Sequence, residues 1–269
     1  MKWRNRFLVA VAAVLLAGVT AFAGEAFTFV QLCDPQLGHN NYEQDKAAFR
    51  QAVEQINALG PDLVLICGDL VNDATSEDAW ADFLAIKAEL KMPCYCVPGN
   101  HDVGNEAAPG LVDKFRQRFG KDYKAFEHKG YTFLLTNTSL WKVNSPGASA
   151  EHDRWFTESL KAAHAKKSPV LVVGHIPPFT ESPGEAEHYF DLPPEKRAEV
   201  LRLSKEYGVV AFLMGHVHRN CVTEYEGIPV VASASTCKNS GAPPGFRVWR
   251  VAGDGTLTHK YVELKSAAP

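Results

Sequence analysis

The sequence predicts a layered α/β (α+β) fold, and three observations carry that expectation. Short, wholly apolar runs such as Leu63 to Cys67 and Val170 to Val173 alternate with longer segments whose apolar residues recur at helical spacing. Five short polar motifs follow apolar runs directly, where loops at the carboxyl ends of strands converge. The composition, 46% hydrophobic and 22% charged over 269 residues, suits one large soluble domain that buries a full core without disulfides.

The elements follow in order. Phe27 to Cys33 reads as a strand, and residues 43–59 as a helix with Ala48, Phe49, Ala52, Val53, Ile56 and Leu59 on one face. Gly60-Pro61 stops that helix, and Leu63 to Cys67 is a fully buried strand. Ser76 can cap a helix running to about Lys91, before Met92-Pro93 breaks it. Residues 94–97 give a short strand in which Cys94 and Cys96 share a face. Leu111, Phe115 and Phe119 mark a helix, and Phe126 to Asn137 a hairpin turning at Lys129-Gly130. Trp155, Phe156 and Leu160 mark another helix, and Val170 to Val173 a strand. Residues 176–195 form a long proline-rich loop with aromatics, a length that usually signals function. A helix to about Tyr207, a strand to Met214 and three further strands close the chain, with turns at Glu226-Gly227 and Gly253 to Gly255.

At the amino terminus Lys2, Arg4 and Arg6 precede an apolar stretch from Phe7 to Val19, and Ala21-Phe22-Ala23 has the small-x-small pattern of a cleavage site. Residues 1–23 therefore read as a signal peptide, leaving 24–269 as a single exported domain, periplasmic or secreted, with no stable membrane insertion after cleavage. Without those three cations the formal net charge moves from −3 to −6. That balance argues against nucleic acid, which needs a basic tract to collect phosphates. Six cysteines permit disulfides in an exported protein, and Cys221 with Cys237 is the pair to test. Cys33, Cys67, Cys94 and Cys96 read as buried apolar side chains.

The chemistry lies in the five ordered motifs: Asp34-Pro35-Gln36, Gly68-Asp69, Gly99-Asn100-His101-Asp102, Gly174-His175 and Gly215-His216-Val217-His218. Together they offer carboxylate, amide and imidazole donors of the kind hard and borderline metals take. Glycines beside them let the backbone turn sharply near a cation. Two metals sharing one carboxylate can clamp a phosphate, ionise a water to attack phosphorus in line and offset the charge that develops. A separate imidazole, His101, would protonate the leaving alkoxide.

In these motifs the chain resembles the calcineurin-like metallophosphoesterase superfamily, whose core reads DxH, GD, GNH[DE], GH and GHxH in that order. The likeness runs from about residue 27 to 262, and GNHD and GHVH are its specific elements. Asp-Pro-Gln, the runs at 99–105 and 175–182, and Gly-His-x-His-Arg-Asn at 215–220 are most similar to the calcineurin-like phosphoesterase domain-containing protein 1 subfamily, described as protein serine/threonine phosphatases. The resemblance implies a four-layer αββα metallophosphoesterase sandwich. It implies that Asp69 bridges two metals, that Asp34 and His218 complete one site, and that Asn100, His175 and His216 complete the other. Gln36 stands where the superfamily usually has His; a neutral carbonyl is a weaker donor, so that site binds loosely or favours manganese or iron over zinc. His39, three residues on, is the alternative donor. Phosphoprotein phosphatases proper carry an Asp that orients the catalytic His where this chain has Asn72, so either Asp102 or Asn72 would take that task.

The expected activity is hydrolysis of a phosphomonoester, small molecule or phosphoprotein, by metal-bound hydroxide. A phosphodiesterase with the same centre is one alternative; a metal-holding protein that binds a phosphate ligand without turnover is the other. Arg219 and Asn220 follow the last motif and could hold a phosphate oxygen. His188 and Tyr189 could reach over the cleft from the long loop or pack on the scaffold. Asn137-Thr138-Ser139 fits either a glycan acceptor or plain structure. His128, His152, His164 and His259 read as solvated.

Overall fold

Phe27–Leu32 is the central strand of the first sheet, and Leu63–Cys67 beside it has every residue buried. The computed structural model describes residues 25–145, 147–237 and 242–265; the predicted signal peptide lies outside them. The first sheet comprises β1 (Phe27–Leu32), β2 (Leu63–Cys67), β3 (Cys94–Val97), β10 (Gly245–Val251) and β11 (Leu257–Glu263), in the order β11-β10-β1-β2-β3. Within it β1, β2 and β3 are parallel, while β10 returns antiparallel to β1. The second sheet comprises β4 (Lys124–His128), β5 (Tyr131–Leu135), β6 (Val170–Val173), β7 (Val209–Met214), β8 (Cys221–Tyr225) and β9 (Ile228–Ala232), in the order β4-β5-β6-β7-β9-β8. Its middle strands β5, β6, β7 and β9 are parallel.

The two sheets pack face to face. Phe29, Leu65, Cys67 and Trp249 of the first meet Phe133, Leu171, Leu213 and Val231 of the second in one buried cluster. Each such side chain removed from water stabilises the fold by roughly 1.5–3 kcal/mol. Gln31 is a polar residue buried beside that layer, and its side chain is bonded at both ends. Gln31 Nε2 donates to the carbonyls of Met214 (2.8 Å) and Val231 (3.0 Å), while its Oε1 accepts from Trp249 Nε1 (2.8 Å). These bonds tie β1 to β7 and β9 and fix the register between the sheets.

Helices cover both outer faces, giving the four layers. On the first sheet lie α1 (Tyr42–Leu59), α2 (Glu77–Lys87) and α4 (Pro109–Phe119), with Phe49, Phe83 and Phe115 buried beneath them. On the second lie α6 (Ala148–Ala165) and α7 (Pro194–Tyr207), burying Phe156, Leu160, Val200 and Leu201. Two single turns, α3 (Asn100–Val103) and α5 (Ser139–Lys142), follow β3 and β5. The Ser76 hydroxyl accepts from Ala79 N, and α1 ends with Gly60 in the left-handed region at φ 61°. Both tight hairpins turn on a left-handed pair: Lys129 (φ 46°) with Gly130 (φ 84°), and Glu226 (φ 47°) with Gly227 (φ 84°).

Four expectations change. Four strands, not three, follow Met214, because the edge strand β8 alternates half-buried and exposed residues and carries a weak apolar signal. His152 is fully buried rather than solvated; it lies four residues before Phe156 and eight before Leu160, on the core face of α6. All six cysteines are free thiols; Cys221 Sγ donates instead to Thr180 O at 2.9 Å. Asn137, Thr138 and Ser139 are buried, so the segment is structural and not a glycan acceptor. Among the described residues no helix is long and apolar enough to cross a membrane.

Candidate metal centre

The five motif loops meet at one edge of the sandwich because the strands before them are parallel. Asp34 and Gln36 follow β1, Asp69 follows β2, Asn100 and His101 follow β3, His175 follows β6, and His216 and His218 follow β7. Main-chain bonds lace the first two loops together: Asp34 N to Gly68 O at 3.3 Å, Gln36 N to Asp69 O at 2.9 Å, and Asn72 N to Leu37 O at 3.1 Å. Asp34, Gln36, Asp69, His216 and His218 all have positive φ, between 36° and 70°. Left-handed backbone at non-glycine residues costs about 1–3 kcal/mol each and persists where surrounding contacts hold it.

The glycines are there for space. A Cβ on Gly99 would collide with the Asp69 main chain and carboxylate. One on Gly68 would lie 2.6 Å from His175 Nδ1, and Gly68 itself sits at φ 81°. Any larger side chain at either place would push a donor out of the cluster.

Two groups of three donors share one carboxylate. Donor atoms of Asp69, His175 and His216 lie within 4.8 Å of one another, as do those of Asp34, Asp69 and His218. His175 Nε2 lies 3.2 Å from Asp69 Oδ2 and 3.0 Å from Asn100 Oδ1, and His218 Nε2 lies 3.3 Å from Asp34 Oδ1. His175 Nδ1 is held 2.8 Å from the Cys67 carbonyl, which leaves Nε2 to face the cluster.

Burial sets the electrostatics. Desolvation alone would raise Asp69, but His175, His101 and His216 hold its carboxyl well below the ordinary range. Burial disfavours a charged His175, yet Asp69 and Asp34 lift it to about 10. His216 goes the other way, pushed down to about 3 by burial and by the neighbouring His175. Asp102 is raised to about 8 by burial and by the charge of Asp69, against the pull of the amides it accepts from.

These residues fit metal ions on two observations. Asp34 and Asp69 are at most 1% exposed, and among the described residues they bond imidazoles and main-chain N–H groups with no lysine or arginine. Buried carboxylates of this kind are stable only when positive charge meets them. Gln36 adds the second point. Its Nε2 donates to Asn72 Oδ1 at 3.3 Å, while its buried Oε1 has no hydrogen-bond partner. A buried carbonyl oxygen without a donor needs an explanation, and a cation supplies one.

The remaining candidates divide. His101 lines the cleft beside Asp69, and its N–H donates to Asp69 Oδ1 at 2.9 Å. Its ring is oriented by the Asn72 main-chain carbonyl, 2.9 Å from Nδ1. Asp102 does not orient that ring: its carboxylate accepts from Leu70 N (2.9 Å), Val71 N (3.2 Å) and Gly99 N (2.8 Å), tying the loops after β2 and β3. Asn220 is likewise structural, its Oδ1 accepting from Ala234 N and from Arg247 Nη2. His188, an exposed side chain, bonds within its own loop, beside Glu185 and Asp191 at 3.4 Å each, with Nδ1 accepting from Phe190 N. Tyr189 and Arg219 do line the cleft of about 460 Å³, with His39, whose ring stands 5.0 Å from that of His218. Tyr189 Oη accepts from Asn100 Nδ2 at 3.1 Å. Sequence reasoning missed Phe190 in the same wall, and Arg197 beneath it.

Known proteins resemble this chain. The profile of the calcineurin-like phosphoesterase family matches residues 27–220. The serine/threonine-protein phosphatase CPPED1 of Bos taurus is 33% identical over 265 residues, covering 88% of this chain and 84% of that one. A 3',5'-cyclic-nucleotide phosphodiesterase of Nostoc sp. is 24% identical over 235 residues, covering 82% of this chain and 85% of that one. Among solved structures, a dimetal phosphatase from Danio rerio superposes with a TM-score of 0.63 at 16% identity, covering 83% of this chain and 92% of that one. At that identity the likeness speaks for the fold alone.

Proposed function

The chain belongs to the calcineurin-like phosphoesterase family and is a metal-dependent phosphoesterase, and from that premise we propose that it hydrolyses phosphomonoesters, phosphoproteins among them. The observation that carries the reading is the sharing of Asp69 between two three-donor groups with His101 beside it in an open cleft. In this reading Asp34, Gln36, Asp69 and His218 would hold one ion, and Asp69, Asn100, His175 and His216 the other. Bound there, the ions supply Lewis-acid polarisation of the phosphoryl group and a nucleophile at neutral pH. Manganese or iron suits the mixed oxygen and imidazole set, with zinc the alternative.

The chain's own groups do the rest. His101 Nε2 faces the cleft because Nδ1 is held by Asn72, so it is placed to give a proton to the departing alkoxide. Arg219, exposed on the cleft wall, offers a forked donor to a non-bridging phosphate oxygen. The name of the Bos taurus relative supports a phosphoprotein substrate. The amino-terminal basic and apolar pattern supports export, with a mature chain starting at Gly24.

A second reading, a phosphodiesterase, has its own observation. A further hollow lined by Asn72, Asp73, Thr75, Asn105 and Leu111 shares His101 with the main cleft, leaving room for a group on each side of a phosphate. The Nostoc relative is named for that activity. Hydrolysis of p-nitrophenyl phosphate against bis-p-nitrophenyl phosphate, before and after chelation and with manganese restored, decides between them. Preference for the monoester supports the proposal, and preference for the diester moves the assignment to the second reading. Chelation without loss of rate would remove the metal centre from the mechanism.

A further inference from the structure

Few large apolar side chains are exposed among the described residues: Leu59, Val222 and the adjacent pair Tyr189 (52%) and Phe190 (40%). The pair lines the same cleft as Asp69, His101, His216 and Arg219. Their rings stand beside the centre, 5.0 Å (Tyr189) and 5.5 Å (Phe190) from the His216 ring and 5.2 Å from each other. Exposing two neighbouring aromatics opposes folding, so a ligand that covers them is the natural reason to keep them there.

The segment presenting them is rigidly built. Arg197, 1% exposed on α7, donates to the carbonyls of Pro178 (2.8 Å), Pro183 (3.2 Å), Glu185 (2.6 Å) and Leu192 (3.0 Å) and to Asp191 Oδ2 (2.7 Å). The Glu185 carboxylate accepts from the main-chain N–H groups of Thr180, Glu181 and Ser182, each at 2.7–2.8 Å. Lys142 Nζ reaches the carbonyls of His188 and Asp191, and His188 Nδ1 accepts from Phe190 N. The loop is therefore clasped at both ends and its middle, and the aromatic pair is set in place before any ligand arrives. Preorganisation of this kind lowers the entropic cost of binding.

Resting on the phosphoesterase reading, we propose that Tyr189 and Phe190 form a stacking wall that selects phosphate esters carrying a planar aromatic group on the esterified alcohol. The phosphate would sit at Asp69 and His101 while the flat group lies on Phe190, in a cleft that His39, Asn40 and Arg219 also line. Stacking of one ring on an aromatic side chain changes affinity by about tenfold.

The test compares pairs of monoesters with matched alkoxide leaving groups: 2-phenylethyl phosphate with ethyl phosphate, and adenosine 5'-phosphate with ribose 5-phosphate. The expected kcat/KM ratio, aromatic over non-aromatic, is about ten or more in at least one pair. Phe190→Leu should cut that ratio about tenfold, chiefly through KM, and Phe190→Trp should keep it. A large ratio in the first pair alone assigns an aryl ester, and one in the second alone a nucleobase. Ratios near one in both pairs, or ratios that Phe190→Leu leaves intact, overturn the stacking wall while leaving the phosphoesterase reading standing. Hydrolysis of none of the four overturns the monoesterase reading, and the wall falls with it.

Discussion

His101 Nδ1 lies 2.9 Å from the main-chain carbonyl oxygen of Asn72. A carbonyl can only accept, so Nδ1 carries a proton and donates it to Asn72, which leaves Nε2 facing the cleft; as a proton donor the ring acts in the form with N–H on both nitrogens. Where the phosphoprotein phosphatases use a carboxylate to orient this imidazole, a backbone group does so here. A backbone carbonyl brings no full negative charge, and it moves only if the whole loop after β2 moves. That loop is itself fixed by Asp102, through the N–H groups of Leu70 and Val71.

His101→Asn removes the proton donor and should lower kcat by about a hundredfold or more on alkyl phosphates. The loss should be much smaller on p-nitrophenyl phosphate, whose leaving group departs without protonation. Bound metal, measured by mass spectrometry of the purified protein, should not change. Equal losses on both substrates would assign His101 to binding rather than proton transfer.

Asp69 is the shared member of both donor groups. Asp69→Asn keeps the volume but halves the donor capacity and removes the charge that both ions would feel. Metal content should fall, and activity should drop by about a thousandfold or more, as removal of a central electrostatic group does. A variant that keeps both metals and full rate would end the bridging assignment.

Gln36 makes a finer prediction, because its Oε1 is buried and unbonded while its Nε2 is held by Asn72. Gln36→His should tighten metal binding at the Asp34–His218 group, imidazole being the stronger donor to transition metals. Gln36→Leu should loosen it by about tenfold or more. Titration of the metal-stripped protein with manganese reads both. Identical curves for all three proteins would take Gln36 out of the coordination sphere and turn attention to His39.

The donor residues were legible because each stands directly after a buried strand, and parallel strands bring such loops to one edge. The layers were legible for the same reason: runs such as Val170 to Val173 can only be interior. What was not legible involves groups with no pattern of their own. The Asn72 carbonyl is backbone, and any residue there would supply it. Arg197 reads as one more charge on a polar helix until its loop closes over it. Adjacency to the last motif let Asn220 hold a phosphate oxygen, and the long loop let His188 either reach over the cleft or pack on the scaffold; both side chains bond nearby backbone. His152 could have been found, since its spacing from Phe156 and Leu160 places it on the buried face of α6.

That buried histidine makes stability depend on pH. Burial, with a smaller contribution from Lys196, pushes His152 down from 6.5 to about 3. Its Nε2 accepts from Asn137 N at 3.3 Å, and Nδ1 has no hydrogen-bond partner. Above pH 6.5 the ring is neutral in both folded and unfolded chains, and its contribution is at its maximum. Below that pH the unfolded chain takes up a proton that the fold refuses, so stability is lost progressively towards pH 3. At pH 5 the loss is about 2 kcal/mol. His152→Gln keeps an oxygen able to accept from Asn137 N but does not titrate. Urea midpoints of the two proteins, followed from pH 7.5 to 5, should converge or cross as the native protein loses about that much relative to the variant. Parallel curves would mean that the folded state accommodates the imidazolium, and that the aromatic cage of Trp141, Trp155 and Tyr123 around this ring opens more readily than its packing implies.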